Sequence, residues 1–196
     1  MTKSDTRPQG LKAGIVPVTP FQQNCTLIWD DETKIGAVGD PGGDLDQLEA
    51  AIAQMGFKPD KIVLTHGHID HAGGAAELKE RLGVEIIGPH RADKLLLDRL
   101  EDQGESDGIP ARNVTPDRWL DEGEHIMIGR HRFDVRHCPG HSPGAVVFLN
   151  EAQKFAIVGD VLFRGSIGRT DFPYGDHEAL INAIKTKLMV LGDEWA

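Results

Sequence analysis

Four side chains able to ligate a metal fall within six residues, in the run His66-Gly67-His68-Ile69-Asp70-His71. His66 and His68 are separated by a single residue, so in extended backbone their side chains leave on the same side and reach one cation. Asp70 and His71 fall where the chain begins to turn towards a helix. Their directions differ, and one short loop can therefore serve two metals. Gly67, with no Cβ, lets the backbone pack closely beneath such a site. Imidazole and carboxylate are ligand types suited to zinc or to non-haem iron. Two later segments add polar residues at strand ends, where a rigid sheet holds them well. Cys138-Pro139-Gly140-His141-Ser142-Pro143-Gly144 sets His141 in a tight turn, and Gly159-Asp160 puts Asp160 just past an apolar stretch. Asp40-Pro41-Gly42-Gly43 also follows a strand, and a turn or helix cap accounts for it. Of the nine histidines, His90, His125, His131, His137 and His177 have no such company and read as solvated side chains.

The elements that must position these residues follow from hydrophobic periodicity. Strands are predicted over residues 24–29, 34–38, 61–65 and 84–88. A helix is predicted over 44–55, where Leu45, Leu48, Ile52 and Met55 recur at spacings of three and four before Gly56. Further helices are predicted over 74–82 and 91–100. The second half turns to strands at 124–128, 132–137, 145–149 and 154–158, separated by Gly, Pro and Asn. A last helix over 177–188 carries Leu180, Ile184 and Leu188 on one face, and residues 101–116 read as a surface loop. This pattern predicts an α/β fold, two sheets covered by helices, in a single domain over 1–196.

The composition, 39% hydrophobic and 27% charged, is that of an ordinary globular protein. A net charge of -10 disfavours nucleic acid as a partner, because phosphates are repelled over most of the surface. No apolar run reaches the length of a membrane span, so no membrane partner is expected. The opening MTKSDTRPQG lacks the apolar centre of a secretory signal. With only Cys25 and Cys138, read as reduced thiols, the expected home is cytoplasmic.

HGHIDH, then Pro-Gly-His at 139–141 and Gly-Asp at 159–160, with DPGG before them, resemble the metallo-β-lactamase superfamily. Over nearly all of the chain the pattern is similar to its compact glyoxalase-II-like (hydroxyacylglutathione hydrolase-like) members. Gln23-Asn24-Cys25, THGHIDHAGG from Thr65, CPGHSPG from Cys138 and GRTDFP from Gly168 carry that likeness. The resemblance implies a four-layer αββα sandwich. It implies that His66, His68 and His141 hold a first metal, that Asp70 and His71 hold a second, and that Asp160 bridges them. One or two zinc ions are expected, with iron or manganese as other occupants. The implied reaction is hydrolysis of a small thioester, glutathione-derived and like S-lactoylglutathione. Its nucleophile is a metal-bound hydroxide, formed because the metal lowers the pKa of water from about 15.7 to about 7, with Asp70 as the catalytic carboxylate. A thiol with a pKa of about 8.5 leaves without a general acid. Arg169 falls near the family's basic contact to the glutathione portion.

The family pattern also holds one more histidine, in a late Pro-Gly-His-Gly segment. Here the sequence reads Leu191-Gly192-Asp193-Glu194-Trp195-Ala196 where that segment should begin. The expectation is a sandwich without its last strand and C-terminal segment, and a second metal held weakly or not at all. His177 occupies no ligand position of the family. Two other readings stand beside the hydrolase: a sulfur dioxygenase holding one iron on two histidines and an aspartate, and a metal-binding remnant with little turnover. A β-lactamase proper is disfavoured by the missing secretion signal.

Overall fold

The computed structural model describes residues 9–196. Residues 1–8, most of the segment read for a leader, lie outside it. Two sheets pack face to face. The first has five strands in the order β1 (Leu11–Val18), β2 (Gln23–Asp30), β3 (Ile35–Gly39), β4 (Lys58–Val63) and β5 (Glu85–Ile87). Its first three strands are antiparallel, whereas β3, β4 and β5 run parallel. The second sheet is antiparallel, with the order β6 (His125–Ile128), β7 (His131–His137), β8 (Val146–Asn150) and β9 (Phe155–Ile157). A short ribbon follows, β10 (Leu162–Phe163) with β11 (Ser166–Ile167).

Alternation along the strands explains the layering, because successive side chains of a strand face opposite sides of its sheet. In β4 and just beyond, Ile62 and Leu64 join a cluster under the helices, whereas Val63 joins the cluster between the sheets. Leu27 and Ile28, Val38 and Ala37, and Ile86 and Ile87 divide in the same way. From the second sheet Phe133, Val135, Val146 and Phe148 face inward, while Val147 and Leu149 face a third cluster with Leu180 and Ile184. Strands covered on both faces read as unbroken apolar runs, which is why all of β8 is buried.

The outer layers are helices α1 (Leu45–Met55), α2 (Ile69–Ala72) and α3 (Ala75–Leu82) on one side, and α6 (His177–Ala183) on the other. Leu45, Leu48 and Ile52 put one face of α1 into the core, and Gly56 ends it in the left-handed region with its N–H bonded to Ile52 O. Asp176 caps α6 by accepting from Ala179 N–H at 2.9 Å. The four-layer αββα sandwich expected from the sequence is the one observed.

Several local expectations are corrected. β1 had no predicted counterpart. The helix predicted over 91–100 is broken into a 3-10 turn (Arg91–Asp93), α4 (Lys94–Leu97) and α5 (Leu100–Asp107), so the first part of the predicted 101–116 loop is helical. Only Leu100 and Gly104 of α5 are buried, too few to leave a period in its sequence. The helix predicted over 177–188 becomes a π-helical turn from Ile184 to Leu188. Ala196 exchanges backbone hydrogen bonds with Lys154 and Ala156, beside β9. No described helix is long and apolar enough to cross a membrane.

Candidate metal centre

The site lies past the carboxyl ends of the parallel strands. β3 and β4 pair with Gly39 opposite Val63, so the residues that follow each strand are neighbours as well. Asp40 therefore meets Thr65. Its carboxylate accepts from the Thr65 N–H at 2.7 Å and from the Thr65 hydroxyl at 2.6 Å. Gly42 then passes so close to α2 that a Cβ there would lie 1.6 Å from the Asp70 carbonyl oxygen. The 66–71 segment leaves β4 extended at His68 and enters α2 at once. The turn between β7 and β8 supplies His141, and the turn after β9 supplies Asp160.

These side chains converge. Ring centroids are 4.7 Å apart for His66 and His68, 4.6 Å for His68 and His141, and 4.1 Å for His66 and His71. One ring nitrogen from each of His66, His68 and His141 lies within 4.8 Å of the others, and Asp40, His66 and His71 form a second such group. The Asp160 carboxylate spans both parts. Its Oδ1 lies 3.2 Å from His71 Nε2 and its Oδ2 lies 3.4 Å from His141 Nε2. Asp70 stands 3.6 Å from His71 Nε2. Arg169 lines the adjoining cavity of about 440 Å³, its guanidinium doubly bonded to Asp171 and lying 4.5 Å from the Phe172 ring centre.

Each imidazole is oriented by an outer partner, as metal-ligating histidines are. His141 Nδ1 donates to the Arg169 carbonyl at 2.9 Å, so its Nε2 keeps a lone pair. His71 Nδ1 donates to Asp40 at 3.0 Å. The Thr65 hydroxyl gives its proton to Asp40, so it accepts from His66 Nδ1 at 3.0 Å. His68 uses Nε2 on the Tyr174 hydroxyl at 2.8 Å and turns Nδ1 towards His141 Nε2, 2.9 Å away. Nε2 of His66, Nδ1 of His68 and Nε2 of His141 thus turn lone pairs inward, while Nε2 of His71 faces the Asp160 carboxylate.

Burial, reinforced by neighbouring imidazoles, holds the His66 pKa well below the ordinary value and takes that of His68 down to about 3. Burial likewise lowers His141. For His71 burial acts in the same direction, but hydrogen bonds to Asp160 and Asp40 outweigh it and raise the pKa to about 10. Burial raises Asp70, whereas at Asp160 the His71 contact overcomes burial and lowers the carboxyl. The residues fit a transition metal. His66 Nε2 is buried with no hydrogen-bond partner, an expensive condition that a cation relieves. Neutral imidazoles with carboxylates form the donor set of zinc and non-haem iron.

Some residues carry more than their sequence showed. Asp40, read as a turn or cap, orients His71 directly and His66 through Thr65. The only signal was its position after a strand. The Tyr174 hydroxyl meets His68 Nε2 at 2.8 Å. His131, read as solvated, is buried between the sheets at 1% exposure. His90 and His137 stack on each other at 4.1 Å, with His137 partly buried.

Comparison with known proteins identifies the family. The sequence profile described as the metallo-beta-lactamase superfamily matches residues 18–194. The chain is 48% identical over 182 residues to hydroxyacylglutathione hydrolase GloC of Haemophilus influenzae, covering 92% of this chain and 85% of that one. The BLEG-1 B3 metallo-beta-lactamase superposes with a TM-score of 0.84 at 32% identity, over 93% of this chain and 88% of that one. TTHA1623, crystallised in a di-iron-bound form, gives 0.78 at 35% identity, over 88% and 84%. The chain belongs to the metallo-beta-lactamase superfamily and is a metal-dependent hydrolase.

Proposed function

We propose that the protein hydrolyses a small glutathione-derived thioester, of which S-lactoylglutathione is the first to test. His66, His68 and His141 would hold one metal and Asp70 and His71 a second, with Asp160, which contacts both His71 and His141, serving the two. The observation that carries this reading is the inward turn of three imidazole lone pairs, on His66, His68 and His141, each fixed by an outer partner. Zinc is the proposed occupant, and iron is the other metal the donors suit. When bound, the metal supplies an ionised water near neutral pH and polarises the carbonyl under attack.

The side chains do the rest. Asp70 and Asp160 place carboxylate charge beside His71, the one imidazole of the cluster whose pKa is raised. As a ligand, Asp70 is the catalytic carboxylate that fixes the nucleophile, and it is not a proton shuttle. His66, His68 and His141 stay neutral, so they bind a cation without first releasing a proton. A thiolate leaving group needs no acid from a cluster that has none to spare. Phe21, Phe172 and Tyr174 wall the cavity beside His68 and His141, and Arg169 at its edge faces the substrate's carboxylates. The thioester assignment draws its support from the name of the Haemophilus relative. The two cysteines, both buried and unpaired, suit the reducing cytoplasm proposed as its location.

The test loads purified protein with zinc or iron and follows thioester loss from S-lactoylglutathione, with oxygen uptake on glutathione persulfide measured in parallel. Metal-dependent thioester cleavage is expected. Stoichiometric oxygen consumption without thioester cleavage would overturn the hydrolytic reading of the substrate.

A further inference from the structure

Asp93 ends the 3-10 turn after β5 and is completely buried. A buried carboxylate is costly unless hydrogen bonds replace its water. Here the replacements come from far along the chain. Its Oδ2 accepts from the Gly67 N–H and from the Ser142 hydroxyl, each at 2.8 Å, and its Oδ1 accepts from the Gly144 N–H. These donors lie 26, 49 and 51 positions away.

The identity of the donors matters. Gly67 is the residue between His66 and His68. Ser142 follows His141, and Gly144 closes the same turn. The backbone completes the clamp, since the His90 N–H donates to the Gly144 carbonyl at 3.1 Å. Gly144 also packs so tightly that a Cβ would lie 2.6 Å from Asp93 N and 2.7 Å from its carboxyl carbon. One carboxylate therefore joins a loop built on the first sheet to a turn built on the second. Across that join, His68 Nδ1 and His141 Nε2 stand 2.9 Å apart.

We propose that Asp93 is a positioning residue of the metal centre, whose carboxylate pins the 66–71 loop to the 138–144 turn and so sets the spacing of the His66, His68 and His141 imidazoles. The proposal rests on the metal reading given above. It explains the direction of the three donors: none comes from the surrounding apolar core, and all come from the two ligand-bearing segments.

The test is Asp93→Asn, which keeps the volume but turns one acceptor into a donor facing an N–H or hydroxyl donor. Zinc affinity is measured by chelator competition, and cobalt(II) is added as a spectroscopic probe of ligand geometry. A variant with wild-type circular dichroism should bind zinc about 10- to 100-fold more weakly, and its visible cobalt bands should shift. Ser142→Ala, which removes one bond and leaves the carboxylate, should weaken zinc by about 10-fold and serves if Asp93→Asn does not fold. Unchanged affinity and cobalt spectrum in the folded variants would overturn the positioning role while leaving the metal centre intact. Failure of the wild type to take up either metal would overturn the centre and the proposal with it.

Discussion

Replacing Asp40 by asparagine exchanges one oxygen for an NH2 group at almost constant volume, and the structure dictates where the protons then go. Asp40 Oδ1 accepts from the Thr65 backbone, while Oδ2 accepts from the Thr65 hydroxyl and from His71 Nδ1. The amide oxygen must stay against the backbone N–H, because the opposite orientation sets two donors face to face at 2.7 Å. The new NH2 therefore faces the hydroxyl and His71. The hydroxyl rotates to accept, its proton turns to His66 Nδ1, and His71 Nδ1 becomes an acceptor too. His66 changes tautomer and its inward Nε2 gains a hydrogen, while His71 sheds its Nδ1 proton and keeps the one on Nε2 facing Asp160, so neither inward nitrogen is free to ligate. Losing one outer partner costs about 10- to 100-fold in metal affinity, so two cost about 10²- to 10⁴-fold. At about 1.4 kcal/mol per tenfold this is about 3–5.5 kcal/mol. Nitrogen NMR of the metal-free protein reads the tautomers directly, and chelator competition reads the affinity. Both rings keeping their proton on Nδ1 in a folded Asp40→Asn variant would refute the reasoning.

Other predictions follow from the same geometry. His141→Ala should weaken zinc by more than the roughly 100-fold of an outer partner and remove thioesterase activity; chelator competition at wild-type affinity would count against His141 as a ligand. Metal at about 1,000 times its Kd should stabilise the fold by about 4.1 kcal/mol, which at about 2–4 °C per kcal/mol raises Tm by about 8–16 °C in a thermal scan. Burial lowers the pKa of His131, so it folds neutral. It contributes stability that is present above its unfolded pKa of about 6.5 and lost as pH falls towards the folded value. His131→Leu should accordingly flatten the fall of Tm below pH 6.5, as measured by melts across a pH series. Arg169→Ala should raise KM for S-lactoylglutathione by about 2- to 5-fold at unchanged kcat, a modest effect because the guanidinium is exposed and already paired with Asp171.

The parts that were legible in the sequence are those whose signal is local. The spacing of Leu45, Leu48 and Ile52 announced α1, and the run from His66 to His71 announced a place of convergence. β1 went unseen because its sequence, LKAGIVPV, buries only Val16 and Val18 and contains a proline. His131 was missed although the alternation of His131, Phe133 and Val135 already placed it on the inner face of β7. Asp40 and Asp93 could not be recognised locally. The work of Asp40 depends on β3 and β4 being parallel neighbours, and that of Asp93 depends on two sheets meeting. Both facts belong to topology.

At the rim of that meeting the Val146 N–H donates to the Thr65 carbonyl at 2.8 Å, a main-chain stitch from the start of β8 to the residue before His66. Neither sheet on its own carries all of the proposed ligands. A cation taken up here is thus a fastener between two halves of the molecule, and its release loosens their mutual grip. Assembly order follows: the halves must dock before any ion is held firmly, so zinc added during refolding should accelerate nothing before docking and should slow the reverse separation afterwards.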